Sequence, residues 1–196
     1  TTGSSLDELL RAAHDMDLEM RFEWSLIDRW PVHPGFIAAM AASVRAGLEK
    51  FPPERQREVL LLFSAHSLPQ ALVDQGDPYP QEVAASVEAV MRELGDSHPF
   101  RLCYQSAVGP LRWLGPSAKA TIARLGRKRH PAVLIVPIAF VSDHIETLHE
   151  IDIEFKELAA RSGIGQFERT PALNDSPIFL AALADLAAAH LTAGAD

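Results

Sequence analysis

The residues with most chemistry to offer are one histidine at the end of an apolar run and a spaced series of carboxylates 80 residues later. His66 closes VLLLFSAH (59–66), and Ser67-Leu68-Pro69 then stops the strand. An imidazole there can serve as a base or a metal ligand, or it can simply hydrogen-bond nearby backbone. Asp143, Glu146, Glu150 and Glu154 follow at i, i+3, i+7 and i+11, a spacing that places them on one face of an α-helix. Such a face is either a solvated acidic stripe or a track of oxygen ligands for cations. His66 with Glu146 makes an N/O donor set suited to a divalent transition metal, whereas a tight structural zinc site would call for thiolates. His144 and Glu146 are two apart, so they converge on one point only at a helix start or a widened turn. Trp113 lies between two Gly-Pro pairs in VGPLRWLGP, where its indole can cover a flat ligand or pack under its own loop.

These side chains need a scaffold, and the hydrophobic pattern supplies one. VLLLFSAH (59–66), RLCYQSA (101–107) and AVLIVPIAF (132–140) are continuous apolar runs, as expected of strands covered on both faces; a weaker fourth strand is expected at 166–170. Amphipathic helices are expected at 36–51, 80–95, 116–126, 144–163 and 177–191, and a first helix capped by Ser4 or Ser5 with Leu6, Leu9, Leu10 and Ala13 on one side. In the helix after 144, Ile145, Leu148, Ile151, Phe155 and Leu158 are expected to face the core, with Asp152 awkwardly close to that stripe. The alternation predicts an α/β fold with a mostly parallel sheet. Ligands of such sheets bind beyond the strands' carboxyl ends, here 64–69, 105–116 and 139–148.

Composition narrows the field. With 196 residues, 47% of them hydrophobic, the chain is long enough for one well-cored domain. A net charge of −8 repels phosphate backbones, so no nucleic acid partner is expected. The single cysteine, Cys103, excludes an internal disulfide framework and a Cys-only metal cluster. Apolar runs of about ten residues fall short of the ~20 that cross a bilayer. No GxGxxG, P-loop or GxSxG appears, and no basic-plus-apolar leader opens the sequence.

FSAHSLP (63–69), GDPYP (76–80), YQSAVGPLRWLGP (104–116), VPIAFVSDHIETLHEIDIEF (136–155), ALNDSPIFLAALADL (172–186) and FEWSLIDRWPVHP (22–34) together resemble the ferrochelatases. The resemblance runs over essentially all 196 residues, closer to the eukaryote-like branch, and departs at Ala107, where those members usually carry a basic residue. It implies a Rossmann-like four-stranded parallel sheet flanked by helices, the second domain of a two-domain fold, with residues 1–196 as the family's C-terminal domain and the N-terminal half missing. It implies insertion of Fe2+ into protoporphyrin IX, with ferrous iron as substrate, and no [2Fe–2S] cluster in this chain. His66 and Glu146 match the family's catalytic and metal-binding pair. Trp113, Phe140 and His144 match its porphyrin contacts, and Asp143, Glu150 and Glu154 its acidic line on a helix with a π-type widening. Peripheral membrane contact and a homodimer also belong to the expectation. So does a location on the matrix side of the mitochondrial inner membrane for a eukaryotic source, or in the cytoplasm or on a membrane surface for a bacterial one. The alternatives are a non-catalytic tetrapyrrole- or metal-binding module, or a related chelatase. The half-length chain is expected to turn over little by itself.

Overall fold

A computed structural model describes residues 2–22 and 24–193. The chain divides into two compact units. The smaller is built from residues up to Trp30 together with the chain from Ala184 onward. Its first helix, α1 (Thr2–Asp15), begins ahead of the expected Ser4 or Ser5 cap. Ala13 is buried on it, whereas Leu9 and Leu10, at the same helical spacing, are exposed. Phe22 and Trp24 meet edge to face, 6.1 Å between centroids.

The larger unit, Pro31–Leu183, holds the sheet. Its elements run α2 (Pro34–Leu48), β1 (Leu60–His66), α3 (Gln70–Asp74), α4 (Tyr79–Glu93), β2 (Phe100–Gln105), α5 (Ala118–Arg127), β3 (Ala132–Pro137), α6 (Ile145–Leu148), a π-helical stretch Glu150–Phe155, α7 (Lys156–Ser162) and β4 (Gln166–Arg169); α8 (Pro177–Ala193) begins in this unit. A 3₁₀ turn over Pro53–Glu58 leads into β1. The four strands are all parallel, in the order β2-β1-β3-β4.

The expected four-stranded parallel α/β fold is therefore present, and burial explains its order. Leu60 to Ala65 of β1 and all of β3 are buried, as the uninterrupted apolar runs require of central strands. β2 and β4 form the edges; Phe100 and Arg101 of β2 are exposed. Alternate residues serve opposite faces. Leu60, Leu62, Cys103, Val133 and Ile135 join Ile122, Ile151 and Phe155 in one cluster under α5 and α7. On the other face Leu134 lies under α2, where a Cβ on Gly47 would come within 3.0 Å of both its methyls. Fully burying one such leucine contributes about 1.5–3 kcal/mol. Burial pushes the Cys103 thiol up to about 12, so it is a protonated core group.

Several boundaries differ from expectation at the end of the sheet that matters most. β3 stops at Pro137, and the expected stretch 138–140 turns away. β2 stops at Gln105, because Ser106 adopts φ 63° and cannot continue a strand. The helix expected over 144–163 is broken into α6, the π stretch and α7. Ile151 and Phe155 face the core as expected, but Ile145 and Leu148 are exposed.

Candidate functional site

The chain passes from β1 outward to β2, then crosses back over β1 to β3. In doubly wound sheets this reversal leaves a crevice between the two strands flanking it, at their carboxyl ends. His66 ends β1, and the segment carrying Glu146 follows β3. The register pairs His66 with Gln105 and Ser64 with both Cys103 and Pro137, so three strand ends finish nearly level.

His66 has both of its ring nitrogens placed. Nδ1 lies 2.6 Å from the Ser67 carbonyl. A carbonyl only accepts, so Nδ1 carries the hydrogen and a neutral ring keeps its lone pair on Nε2. Nε2 lies 3.1 Å from Glu146 Oε1, with the two side chains 39% and 33% exposed. The backbone bond left open by the sequence and the facing carboxylate thus coexist. The Tyr79 hydroxyl donates to the His66 carbonyl at 3.0 Å, and burial raises that phenol well above its ordinary pKa, keeping it a donor.

His144 reaches the same place through its backbone. It is extended (φ −157°) and caps α6: its Nδ1 accepts from the Glu146 N–H at 3.1 Å, while its own N–H donates to Thr147 Oγ1 at 3.0 Å. This is a capping box with histidine in the Ser/Thr position. The helix start that the two-residue spacing called for is therefore found here. Glu146 Oε2 lies 3.8 Å from His144 Nδ1. Phe140 contacts both imidazoles, with centroids 4.9 Å from His144 and 6.3 Å from His66. It is buried, so both rings pack against a fixed aromatic surface.

Of the four spaced carboxylates, three follow one another along the chain and one turns aside. Glu150 Oε1 accepts from the Ser106 N–H (3.1 Å), and its Oε2 accepts from Ser106 Oγ (2.6 Å) and Gln105 Nε2 (3.0 Å). The left-handed backbone of Ser106 is what aims both of its donors at one carboxylate. Glu154, at the outer end, is paired with Lys119 at 2.9 Å and His149 at 3.4 Å; the Lys119 hydrogen bond and charge hold its carboxyl below the usual range. In the π stretch, the His149 carbonyl accepts from both Ile153 and Glu154, the second a bond over five residues. Asp143 does not share the helical face that spacing alone predicted. It precedes α6 and meets Arg169 at 2.9 Å. Burial alone would raise its carboxyl; bonds from Asn174 and Thr147 and the Arg169 charge outweigh this and hold it low.

Trp113 belongs to the same end of the sheet but not to this cluster. The 112–114 segment pairs with 68–70, directly after His66: Leu114 N–H donates to the Leu68 carbonyl and Gln70 N–H to the Arg112 carbonyl, both at 2.8 Å. The indole N–H donates to the Val108 carbonyl of its own loop at 3.1 Å.

Sequence reasoning passed over Gln105. Its amide is buried, accepts from Ser64 Oγ at 2.6 Å, and donates to the Glu146 carbonyl and to Glu150 Oε2, both at 3.0 Å. One side chain so joins β1, β2 and the segment after β3. The available signal was a glutamine at the end of an apolar strand, at the place where ligands gather.

Among the described residues no three His, Cys, Asp or Glu side chains are arranged to hold a metal ion. The His66–Glu146 pair can supply two ligands. Ligands ~2.0–2.2 Å from one ion and at right angles stand roughly 3 Å apart, the spacing seen here. A cleft of about 500 Å³ lined by Lys50, Asp143, Asp152, Lys156 and Arg169 lies beside this arrangement and does not include either member of the pair.

A parallel sheet with an imidazole and a carboxylate meeting at its β1/β3 switch defines a Rossmann-like α/β protein able to handle protons or divalent cations at its strand ends. The sequence profile of the ferrochelatase family matches residues 1–191, and the chain belongs to that family. It is 50% identical over 192 residues to the mitochondrial ferrochelatase of Bos taurus, covering 97% of this chain and 46% of that protein. It is 47% identical to the mitochondrial ferrochelatase of Xenopus laevis, covering 97% and 47%. It is 47% identical over 186 residues to the ferrochelatase of Geotalea uraniireducens (strain Rf4), covering 95% and 57%. The chain spans about half the length of the curated relatives it matches. No described helix is long and apolar enough to cross a membrane.

Proposed function

We propose that this chain carries the metal-handling half of a ferrochelatase, which inserts Fe2+ into protoporphyrin IX to form protoheme. The observation that supports this most directly is the His66–Glu146 pair: with Nδ1 held by the Ser67 carbonyl, Nε2 faces a carboxylate oxygen at 3.1 Å. Two acceptors at that distance are stable only with a cation between them, either a proton or a metal ion. Imidazole and carboxylate suit Fe2+, and Zn2+ and Co2+ by the same chemistry.

Insertion requires that Fe2+ leave its water shell and that two pyrrole N–H groups lose protons. The pair fits that exchange. His66 Nε2 and Glu146 Oε1 take the place of two waters on the incoming ion. As the ion passes to the ring nitrogens, a pyrrole proton takes its place between Nε2 and Oε1, and the second proton leaves to water. The Ser67 carbonyl holds Nδ1–H throughout and stabilises the protonated ring. A positioned base of this kind is worth roughly 10²–10⁴ in rate. His144 and Phe140 fix the carboxylate and the imidazole, and Trp113 stands on the loop that pairs with the chain after His66, where an aromatic face can meet a macrocycle. Glu150 and Glu154 extend the acidic approach. Their present partners are Gln105 and Ser106 on one side and Lys119 on the other.

The test is zinc insertion into a water-soluble porphyrin by the 196-residue chain joined to the first half of a matched relative. His66→Ala is expected to cut insertion at least a hundredfold while porphyrin binding, read by fluorescence quenching, persists. Unchanged insertion contradicts the assignment. If porphyrin and zinc bind with no insertion even in the unaltered protein, a binding module is the better description. The 196-residue chain by itself is expected to bind porphyrin weakly and to insert little, because ring distortion draws on contacts spread over the whole ligand.

A further inference from the structure

Arg169 is the last residue of β4, lies outside the His66–Glu146 cluster, and still touches the polypeptide on both sides of it. Its Nε and Nη2 donate to the two carboxylate oxygens of Asp152 at 2.8 and 2.9 Å, a fork-on-fork pair. Its Nη1 donates to Asp143 Oδ1 at 2.9 Å and to the Thr170 carbonyl at 3.2 Å. The guanidinium side chain is only 13% exposed. Asp143 immediately precedes His144, and Asp152 sits in the middle of the π stretch between Glu150 and Glu154.

The two aspartates bracket the working residues. Asp143 also accepts from Thr147 Oγ1 at 3.2 Å, and that hydroxyl accepts the His144 N–H that starts α6. Asn174 holds Asp143 from the far side: its Oδ1 accepts the Asp143 N–H at 2.9 Å and its Nδ2 donates to Oδ2 at 3.1 Å. Asp152 lies where the helical pattern is out of phase with the apolar stripe. Five-residue hydrogen bonding there leaves the backbone less tightly wound than α-helix, so the local shape depends on what its side chains meet. Arg169, fixed in the sheet, meets both ends of the segment.

We propose that Arg169 is a positioning residue: it clamps the 143–152 segment to the end of β4 and so sets where Glu146 stands relative to His66. This rests on the proposed metal-handling role only for its consequence, not for the clamp itself. Lysine cannot reproduce the clamp, since it offers a point charge and no fork.

The test compares the 196-residue chain with Arg169→Met, Arg169→Lys and Asp152→Asn by amide hydrogen exchange and by Co2+ binding, read from the visible absorption of the bound ion. With Arg169→Met, amides of 150–155 are expected to exchange at least tenfold faster while those of β1 and β3 keep their protection, and Co2+ binding is expected to weaken tenfold or more with a changed spectrum. Arg169→Lys is expected to recover part of the Co2+ affinity. Asp152→Asn, which keeps Arg169 in place and opens only one arm, gives the same pattern in weaker form and serves where Arg169→Met fails to fold. Wild-type exchange in 150–155 for these variants overturns the clamp. Faster exchange with unchanged Co2+ affinity and spectrum also overturns it as a positioning device, leaving a structural brace. If the unaltered chain takes up no Co2+ at all, the metal-handling reading fails, and the exchange data still decide the clamp.

Discussion

His66 Nε2 and Glu146 Oε1 face one another at 3.1 Å, while the Ser67 carbonyl holds Nδ1–H, so a neutral ring turns its lone pair to the carboxylate. With Nδ1–H already committed, the pair is joined by an N–H only when the ring takes up a second proton. In the proposed role the gap takes up a cation, either a proton or a metal ion. That alternation is the chemistry that metal insertion into a ring bearing N–H groups requires.

Glu146→Gln separates folding from function. The amide can donate its N–H to His66 Nε2, satisfying the pair with no cation. The variant is expected to unfold within about 1 kcal/mol of the wild type, since it exchanges a charge-assisted contact for a neutral hydrogen bond. Divalent metal binding is expected to fall at least tenfold. Thermal unfolding beside a Zn2+ titration checks both halves.

Gln105→Leu tests the amide that joins three strand ends. It removes partners from Ser64 Oγ, the Glu146 carbonyl and Glu150 together. Leaving buried polar groups unpaired costs about 1–3 kcal/mol. Urea unfolding should show a loss in that range with an unchanged m-value. A loss under about 0.5 kcal/mol would mean that water replaces the amide.

Acid should weaken the Asp143–Arg169 contact specifically. The folded Asp143 carboxyl lies below its ordinary value, so the unfolded chain binds its proton first. The contact's stabilisation is complete above the unfolded pKa of ~3.9 and is lost as pH falls through the lower folded value. The stability gap between wild type and Asp143→Asn should shrink steadily below about pH 4 in urea titrations. A gap that does not vary with pH would show that the ion pair contributes nothing.

How much of this was legible beforehand follows from where each signal is stored. β1 and β3 are uninterrupted apolar runs because both of their faces are covered, so they declare themselves locally. His66 was conspicuous because a polar residue ended such a run. The π stretch was not visible from periodicity, because one added residue per turn changes phase and not composition. Its trace was Asp152, which fitted the apolar side only awkwardly and in the structure meets Arg169, 17 residues further on. The same continuous pattern turns Ile145 and Leu148 inward; they are exposed because the backbone changes phase after them. Gln105 was missed because its partners Glu146 and Glu150 lie 41 and 45 residues away, and only the sheet brings them to it.

The most direct measurement is the ring nitrogen chemistry of His66, by long-range 1H–15N NMR on the 15N-histidine-labelled chain, before and after adding Zn2+. The predicted result is a proton on Nδ1 both with and without Zn2+, and a Zn2+-induced shift of Nε2 that Glu146→Gln abolishes. A proton on Nε2 with bare Nδ1, or an Nε2 signal indifferent to Zn2+, would contradict the account.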